Sequence, residues 1–458
     1  MIEKPKFWGW AKLMVSPDNY KEVFRSRRVK IISAIEITLD FYDPDSDNYI
    51  HMRPSSLLAI LKNLFTAVVD GRSHLKTLVV MYSEDWEIDQ AYEECHKDVD
   101  LAPLSPVLLS EALIRMEECT FSDLTSIEMS TAQLLALFTA IDQTNDLKLK
   151  VLKLSNDDFS EVPTDVLAPA LVKLEQPGIL DGILTPAEHV RSLFNKIVES
   201  PVVNIKTIDP SFTDYSDNIP PQLFAEALVK IPTVDKINGW TFLCQEKVQA
   251  VLEKIANTGT DHLTLRELSL SSVDISHISP LVVTEAVVKL ESLSVENVLN
   301  PEMATEVFQS ITECQGLRLR ELSVRWDNLS SVVPSVLAGA ISRLEKLTLW
   351  GCRLTGSQVT SIFTQLSVSE HHMRFLSLKY NNLSSVPTEL LVKVIMSGLE
   401  EVDFYRTDLT PAQLIGIYTM VADRKSPRLK RIKLRDYNNP VPPDLLQRAE
   451  LNQSVVIM

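Results

Sequence analysis

The chain has 458 residues, 45% of them hydrophobic, with about 60 Leu and only 12 Gly. It is long enough to bury a large core and poor in the residue that phosphate-cradling loops require, so the common glycine-loop nucleotide enzymes are disfavoured. A formal net charge of -16 repels a phosphate backbone at long range and argues against a general nucleic-acid binder.

The amino-terminal MIEKPKFWGWAKLMV carries charges ahead of its aromatic run and has no small-residue cleavage site, so it does not read as a signal peptide. No apolar run of about 18 residues follows it, which removes a membrane-spanning helix. Residues 1–31 are expected to form a cap or lead-in, with one continuous repeat domain over 32–458. A first strand is expected from Ile32 (IISAIEI), interrupted by an acidic loop from Asp40 to Asp47 within an insertion near 40–50. A second starts at Leu75, and a longer insertion near 83–103 follows it. There EDWEIDQAYEECHKDVD, from Glu84 to Asp100, has eight acids to one Lys. Such a run is either a bare solvated loop or a contact for a basic partner or for the basic end of a second copy.

From Met116 onward the chain repeats itself. LKVLKLSNDDF at Leu149 returns as LRELSLSSVDI at Leu265, LRELSVRWDNL at Leu319 and MRFLSLKYNNL at Met373. A sibling segment follows each after 25 or 26 residues: LEQPGILDGIL at Leu174, LESLSVENVL at Leu290, LEKLTLWGCRL at Leu344 and LEEVDFYRTDL at Leu399. Weaker copies begin at Ile205, Ile231 and Leu429, about 13 in all, at the upper end of the 20 to 29 residue period of leucine-rich repeats. In LxxLxL, alternation puts the Leu on the core side of a short strand and the intervening residues on the open side. Three residues beyond the last Leu stand Asp157, Asp327 and Asn381 in one flavour, Cys352 and Thr407 in the other, where a side chain must satisfy turning backbone.

Helices follow each strand. Ser130 with Gln133, Thr185 with Glu188, Thr355 with Gln358 and Thr410 with Gln413 read as capping boxes. The other flavour starts its helices at Pro163, Pro221, Pro334 or Pro387. A unit this small cannot bury its own apolar face, so copies are expected to stack with strands on one side and helices on the other.

Catalytic chemistry has little to stand on. The eight His are scattered, no HExxH, GxSxG or Walker loop occurs, and the adjacent His371 and His372 read as a solvated loop. Five widely spaced Cys (Cys95, Cys119, Cys244, Cys314, Cys352) include no CxxC pair and no zinc-spaced cluster, which suits free thiols in the cytosol or nucleus. Sequons at Asn328, Asn382 and Asn452 are short enough to arise by chance. Neither a cofactor nor a metal site is expected.

The stronger feature is the open side of the later strands. One position beyond the last core Leu come Ser271, Glu296, Arg325, Trp350, Lys379, Tyr405 and Arg435, and the next position, at the rim, adds Trp326, Tyr380 and Arg406. Arg431 and Lys433 continue this face on the last repeat. Aromatics interleaved with cations have the composition of interface hot spots. The same residues could instead form a ladder across adjacent strands that only stabilises the sheet.

The alternating copies, with Asn or Asp in one and Cys or Thr in the other, resemble the ribonuclease-inhibitor type of leucine-rich repeat. That resemblance implies an α/β solenoid, a horseshoe with parallel strands on the concave face and helices on the convex face. FWGWAKLMVSPDNYKEVFRSRRVKIISAIEI, with Phe7, Trp8 and Trp10, is similar to the segment that follows the F-box in F-box proteins carrying leucine-rich repeats. The functional expectation is a non-enzymatic scaffold that binds a protein with an acidic surface on the concave face, with no small-molecule substrate, nucleic acid or membrane as partner. The resemblances imply two alternatives: substrate recognition in a cullin-based ubiquitin ligase, the F-box being absent from this chain, and enzyme inhibition of the ribonuclease-inhibitor kind.

Overall fold

The structure, a computed structural model, describes residues 12–15, 34–38, 40–43, 48–51, 54–81, 99–121, 127–154, 159–178, 187–208, 219–238, 245–368, 372–423, 428–434, 441–450 and 456–457. Phe7, Trp8, Trp10, Cys95, Asp157, Thr185, Cys244, His371, Arg435, Asn452 and most of the long acidic insertion lie outside them. Contacts divide the chain into two compact units, Met1–Leu223 and Phe224–Met458.

In the first unit β1 (Lys12–Val15) and β2 (Ala34–Thr38) are followed by β3 (Asp40–Asp43), β4 (Asn48–His51) and the helix α1 (Pro54–Val69). Then come β5 (Thr77–Met81), β6 (Val99–Asp100), α2 (Pro106–Leu113), β7 (Glu118–Phe121), β8 (Ile127–Glu128) and α3 (Thr131–Gln143). The unit continues through β9 (Val151–Lys153), α4 (Thr164–Leu171), β10 (Gln176–Gly178), α5 (Ala187–Glu199) and β11 (Thr207–Ile208). Its main sheet runs β1-β2-β5-β7-β9-β10, parallel throughout. Of the loop expected from Asp40 to Asp47, residues 40–43 are strand instead, and 44–47 lie outside the described residues. β3 and β4 pair antiparallel, with Phe41 opposite Ile50 and Tyr42 opposite Tyr49, and the β preference of these aromatic and branched residues outweighs the flanking acids.

In the second unit α6 (Pro221–Leu228) crosses the boundary and leads to β12 (Thr233–Asn238), α7 (Gln245–Asn257), β13 (Glu267–Ser271), α8 (Pro280–Val287), β14 (Ser292–Glu296) and α9 (Pro301–Glu313). Next are β15 (Glu321–Arg325), α10 (Pro334–Ile341), β16 (Lys346–Trp350), α11 (Gly356–Val368), β17 (Phe375–Ser377) and α12 (Thr388–Met396). β18 (Glu401–Asp403), α13 (Pro411–Ala422), β19 (Arg431–Lys433), α14 (Pro443–Glu450) and β20 (Val456–Ile457) complete it. β12 to β20 lie in chain order in one parallel sheet. Core residues stack in register, Leu268 on Leu293 on Leu322 on Leu347 on Leu376, and all are buried. Each unit is thus a strand-helix module repeated and stacked. Among the described residues no helix is long and apolar enough to cross a membrane.

The two flavours differ in their helices. α8 and α10 have 8 residues and begin at Pro, whereas α7, α9 and α11 have 13. The capping boxes at Ser130 and Thr410 are complete, and Thr355 pairs with Gln358 in both directions. The third residue of each long helix also works inward. Gln133, Gln358 and Gln413 each donate Nε2–H to two carbonyls of the preceding repeat, at 2.7 to 2.8 Å. In α5 that place belongs to His189, whose Nε2 is 2.6 Å from the Val162 carbonyl. Glu188, expected to complete a box with Thr185, is exposed, and Thr185 lies outside the described residues.

A cation just ahead of the second-flavour strands closes the long helix of the preceding second-flavour copy, not the short helix it follows. Lys173 Nζ reaches the carbonyls of Ile141 and Thr144, each at 3.4 Å, and that of Asp142. Lys289 does the same for Ile255, Ala256 and Thr258, and Arg343 for Ile311 and Thr312. Positive charge at a helix C-terminus complements its dipole and its open carbonyls. One residue into successive copies stand Arg266, Glu291, Arg320, Glu345, Arg374, Glu400 and Lys430, strictly alternating in sign. Neighbours pair as Arg320 with Glu345 at 2.8 Å and Glu400 with Lys430 at 2.6 Å, and the hydrogen bond from Lys430 holds the Glu400 carboxyl below its usual range. Exposed pairs add little stability each, but a slip by one repeat would set like charges side by side.

Candidate functional site

The open face of the second unit's sheet has a floor of small hydroxyl residues in register: Ser269, Ser294, Ser323, Thr348 and Ser377. Where each strand ends, the chain turns off the sheet through one residue of positive φ: Ser272 at 53°, Asn297 at 54°, Trp326 at 61°, Gly351 at 64°, Tyr380 at 56° and Arg406 at 54°. The turn lets the amide of that residue bond to the next strand. Trp326 N–H donates to the Trp350 carbonyl at 2.7 Å and Gly351 N–H to that of Lys379 at 2.9 Å. Gly and Asn tolerate this conformation; Trp, Tyr and Arg hold it at roughly 1 kcal/mol or more each.

Those three bulky residues gather with the last outward residues of the neighbouring strands. Trp326 lies 5.7 Å from both Trp350 and Tyr380, centroid to centroid. Trp350 and Tyr380 stack at 6.0 Å and 23°, and Tyr380 meets Tyr405 at 5.9 Å. Cations cover the rings. Arg325 sits 5.5 Å over Trp350, Lys379 bridges Trp350 and Tyr405 at 5.3 and 5.8 Å, and Arg406 bridges Tyr380 and Tyr405 at 5.4 and 5.5 Å. Arg406 also donates to the Tyr380 hydroxyl at 3.2 Å. Lys379 is anchored by the buried Asp403 at 3.2 Å. Trp326 remains 49% exposed.

Seven of the ten residues expected from the sequence therefore form one block: Arg325, Trp326, Trp350, Lys379, Tyr380, Tyr405 and Arg406. Arg431 and Lys433 lie on β19, where Arg431 is drawn to Glu401 and Lys433 is the register partner of Asp403. Arg435 is outside the described residues. Two contributors, Asp403 and Gly351, escaped the sequence reading. Asp403 anchors Lys379, and its signal was an acid in a row of hydroxyls. Glu296, the register partner of Arg325, lines with Glu267 a cleft of 330 Å³ beside the block. At Gly351 a Cβ would stand 2.5 Å from Trp326 Cε3, so its missing side chain is the seat of the Trp326 ring.

Gly351→Ala is expected to push Trp326 off its seat and to cost about 1 to 2 kcal/mol, through the clash and the positive φ. The near-ultraviolet circular dichroism of the Trp326–Trp350 pair would report it; an unchanged spectrum with unchanged melting would show that the ring does not rest there.

Beneath the block the turn residues behave as their positions demand. Cys352 Sγ–H donates to the Val324 carbonyl at 3.2 Å, and Thr407 Oγ1–H to that of Phe404 at 2.7 Å. Burial pushes the Cys352 and Cys119 thiols up, away from the reactive thiolate form. Asp327 accepts from the amides of Val298 and Leu299 at 2.7 and 2.6 Å through Oδ1, while its buried Oδ2 has no partner. No protein-family model matches the chain, and no curated protein matches it either.

Proposed function

We propose that this chain is a non-enzymatic protein-binding repeat array of the ribonuclease-inhibitor leucine-rich type, curved as a horseshoe, and that its partner docks on the open strand face of the second unit around Trp326, Trp350, Tyr380 and Tyr405. The observation that supports this is the backbone at the strand exits. Ser272 and Asn297 make the same turn with small residues, and β13 and β14 pair with no aromatic ladder at all. Sheet stability therefore does not require the rings, yet the chain holds two large aromatics and an arginine at positive φ and leaves one ring half exposed. Pre-packed aromatics flanked by Arg, with small residues around them, match the anchors that dominate protein interfaces.

Replacing Trp350 and Tyr405 together with Ala is expected to weaken capture of the main partner by at least about tenfold, while circular dichroism shows the repeat fold retained. Quantitative pull-down with purified full-length protein checks this. Equal capture by the folded double variant would sink the assignment and leave the ladder reading in its place.

A further inference from the structure

The block is already supplied with positive charge, which limits what it can receive. Five cation-ring contacts of 5.3 to 5.8 Å place Arg325, Lys379 and Arg406 over Trp350, Tyr380 and Tyr405. A cationic ligand, which would otherwise suit an aromatic cage, meets ring faces in use and like charges beside them. Of the carboxylates on the same face, Glu267 and Glu296 in the neighbouring cleft have no ion pair among the described residues, whereas those on the strands from β15 onward are matched. Glu321 pairs with Lys346 at 2.6 Å, Asp403 with Lys379 at 3.2 Å, and Glu401 with Arg431. Arg325 has no carboxylate within the 4.0 Å pairing distance among the described residues, and neither does Lys433; Arg325 Nε–H instead donates to Ser323 Oγ at 3.3 Å. Both are half buried rather than extended into solvent.

Resting on the docking reading above, we infer that the partner presents an extended acidic segment laid across the strands from β15 to β19, with one carboxylate at Arg325, another at Lys433, and an apolar side chain on the exposed ring of Trp326. The two cations stand four strands apart, about 19 Å at ~4.8 Å per strand, which roughly six residues of extended chain span. Beneath that path the hydroxyls of Ser323 and Thr348 face the segment's backbone and supply hydrogen-bonding groups to it. The arrangement is one in which aromatic contacts hold the segment and charge selects it.

Selection of a displayed random peptide library on the full-length protein tests this, followed by fluorescence anisotropy of the recovered peptides. The expected result is enrichment of Asp and Glu at a separation of about six residues. Binding should fall at least about tenfold in the double variant Arg325→Glu, Lys433→Glu and should weaken with added salt. Peptides that need Trp350 and Tyr405 but are indifferent to the charge reversal would overturn the acidic segment and leave the docking face standing. Recovery of no peptide that depends on either pair would overturn both. A thymidine oligonucleotide that outcompetes the acidic peptides at Arg325 and Lys433 would reassign the charge to a nucleic acid and also overturn the inference.

Discussion

Asp327→Asn is expected to make the protein more stable at neutral pH, by about 3 kcal/mol. Asp327 is 3% exposed, and burial raises its carboxyl from 3.8 to about 6 despite the two amides it accepts from. A group whose pKa is raised on folding favours the folded state only while it is protonated. Below about pH 4 both states hold the proton and there is no cost. Between about pH 4 and 6 the unfolded chain releases it first, so stability falls as pH rises; above about 6 the whole cost is present. The remedy is visible two repeats on, where Asn381 Oδ1 accepts from Leu354 N–H at 3.3 Å and its Nδ2 donates to the carbonyls of Leu349 at 2.7 Å and Leu378 at 3.1 Å. Asn at 327 keeps the acceptor and turns the partnerless oxygen into a donor. Urea unfolding at pH 7 and pH 4 checks the claim: a gain at pH 7 that vanishes at pH 4 is expected, and an equal gain at both would remove the role of ionisation.

Gln358→Leu works in the opposite direction. Gln358 is 1% exposed; its Oε1 accepts from Thr355 N–H at 2.8 Å and its Nε2 donates to the carbonyls of Leu329 and Val332, both at 2.7 Å. Leu fills nearly the same volume but leaves the Val332 carbonyl and a helix-cap amide unpaired, each worth about 1 to 3 kcal/mol, and takes one of two donors from the Leu329 carbonyl, which keeps Val332 N–H at 3.0 Å. A loss of about 3 to 4 kcal/mol in urea unfolding is expected. Thr364→Leu at an exposed position of the same helix α11 provides the comparison, and equal costs at the two sites would show that the inward bonds carry no weight.

What could be read ahead of the structure follows from how far each interaction reaches along the chain. The strand positions, the two flavours and the capping boxes at Ser130, Thr355 and Thr410 depend on residues within one copy, and those elements appear where the pattern puts them. The alternating charges from Arg266 to Lys430 were also in plain sight, one residue into each copy, but their meaning requires parallel strands in register. That His189 takes the inward place in α5 could not be read from a box four residues long, which does not report helix phase. The stretch from Asp40 was misread because its acids outnumbered its aromatics, while strand pairing depends on what stands opposite.

For the face itself, the sequence by itself determined that Trp350, Lys379 and Tyr405 share one side of the sheet and that Trp326, Tyr380 and Arg406 follow at its rim, because side-chain alternation in a strand is local. The tertiary structure decided the rest. A rim residue can point anywhere until its φ is set, and φ at each strand exit is set by a hydrogen bond to the next repeat. Only with that turn made does the empty side of Gly351 receive the ring of Trp326, bringing residues from four consecutive repeats into one block.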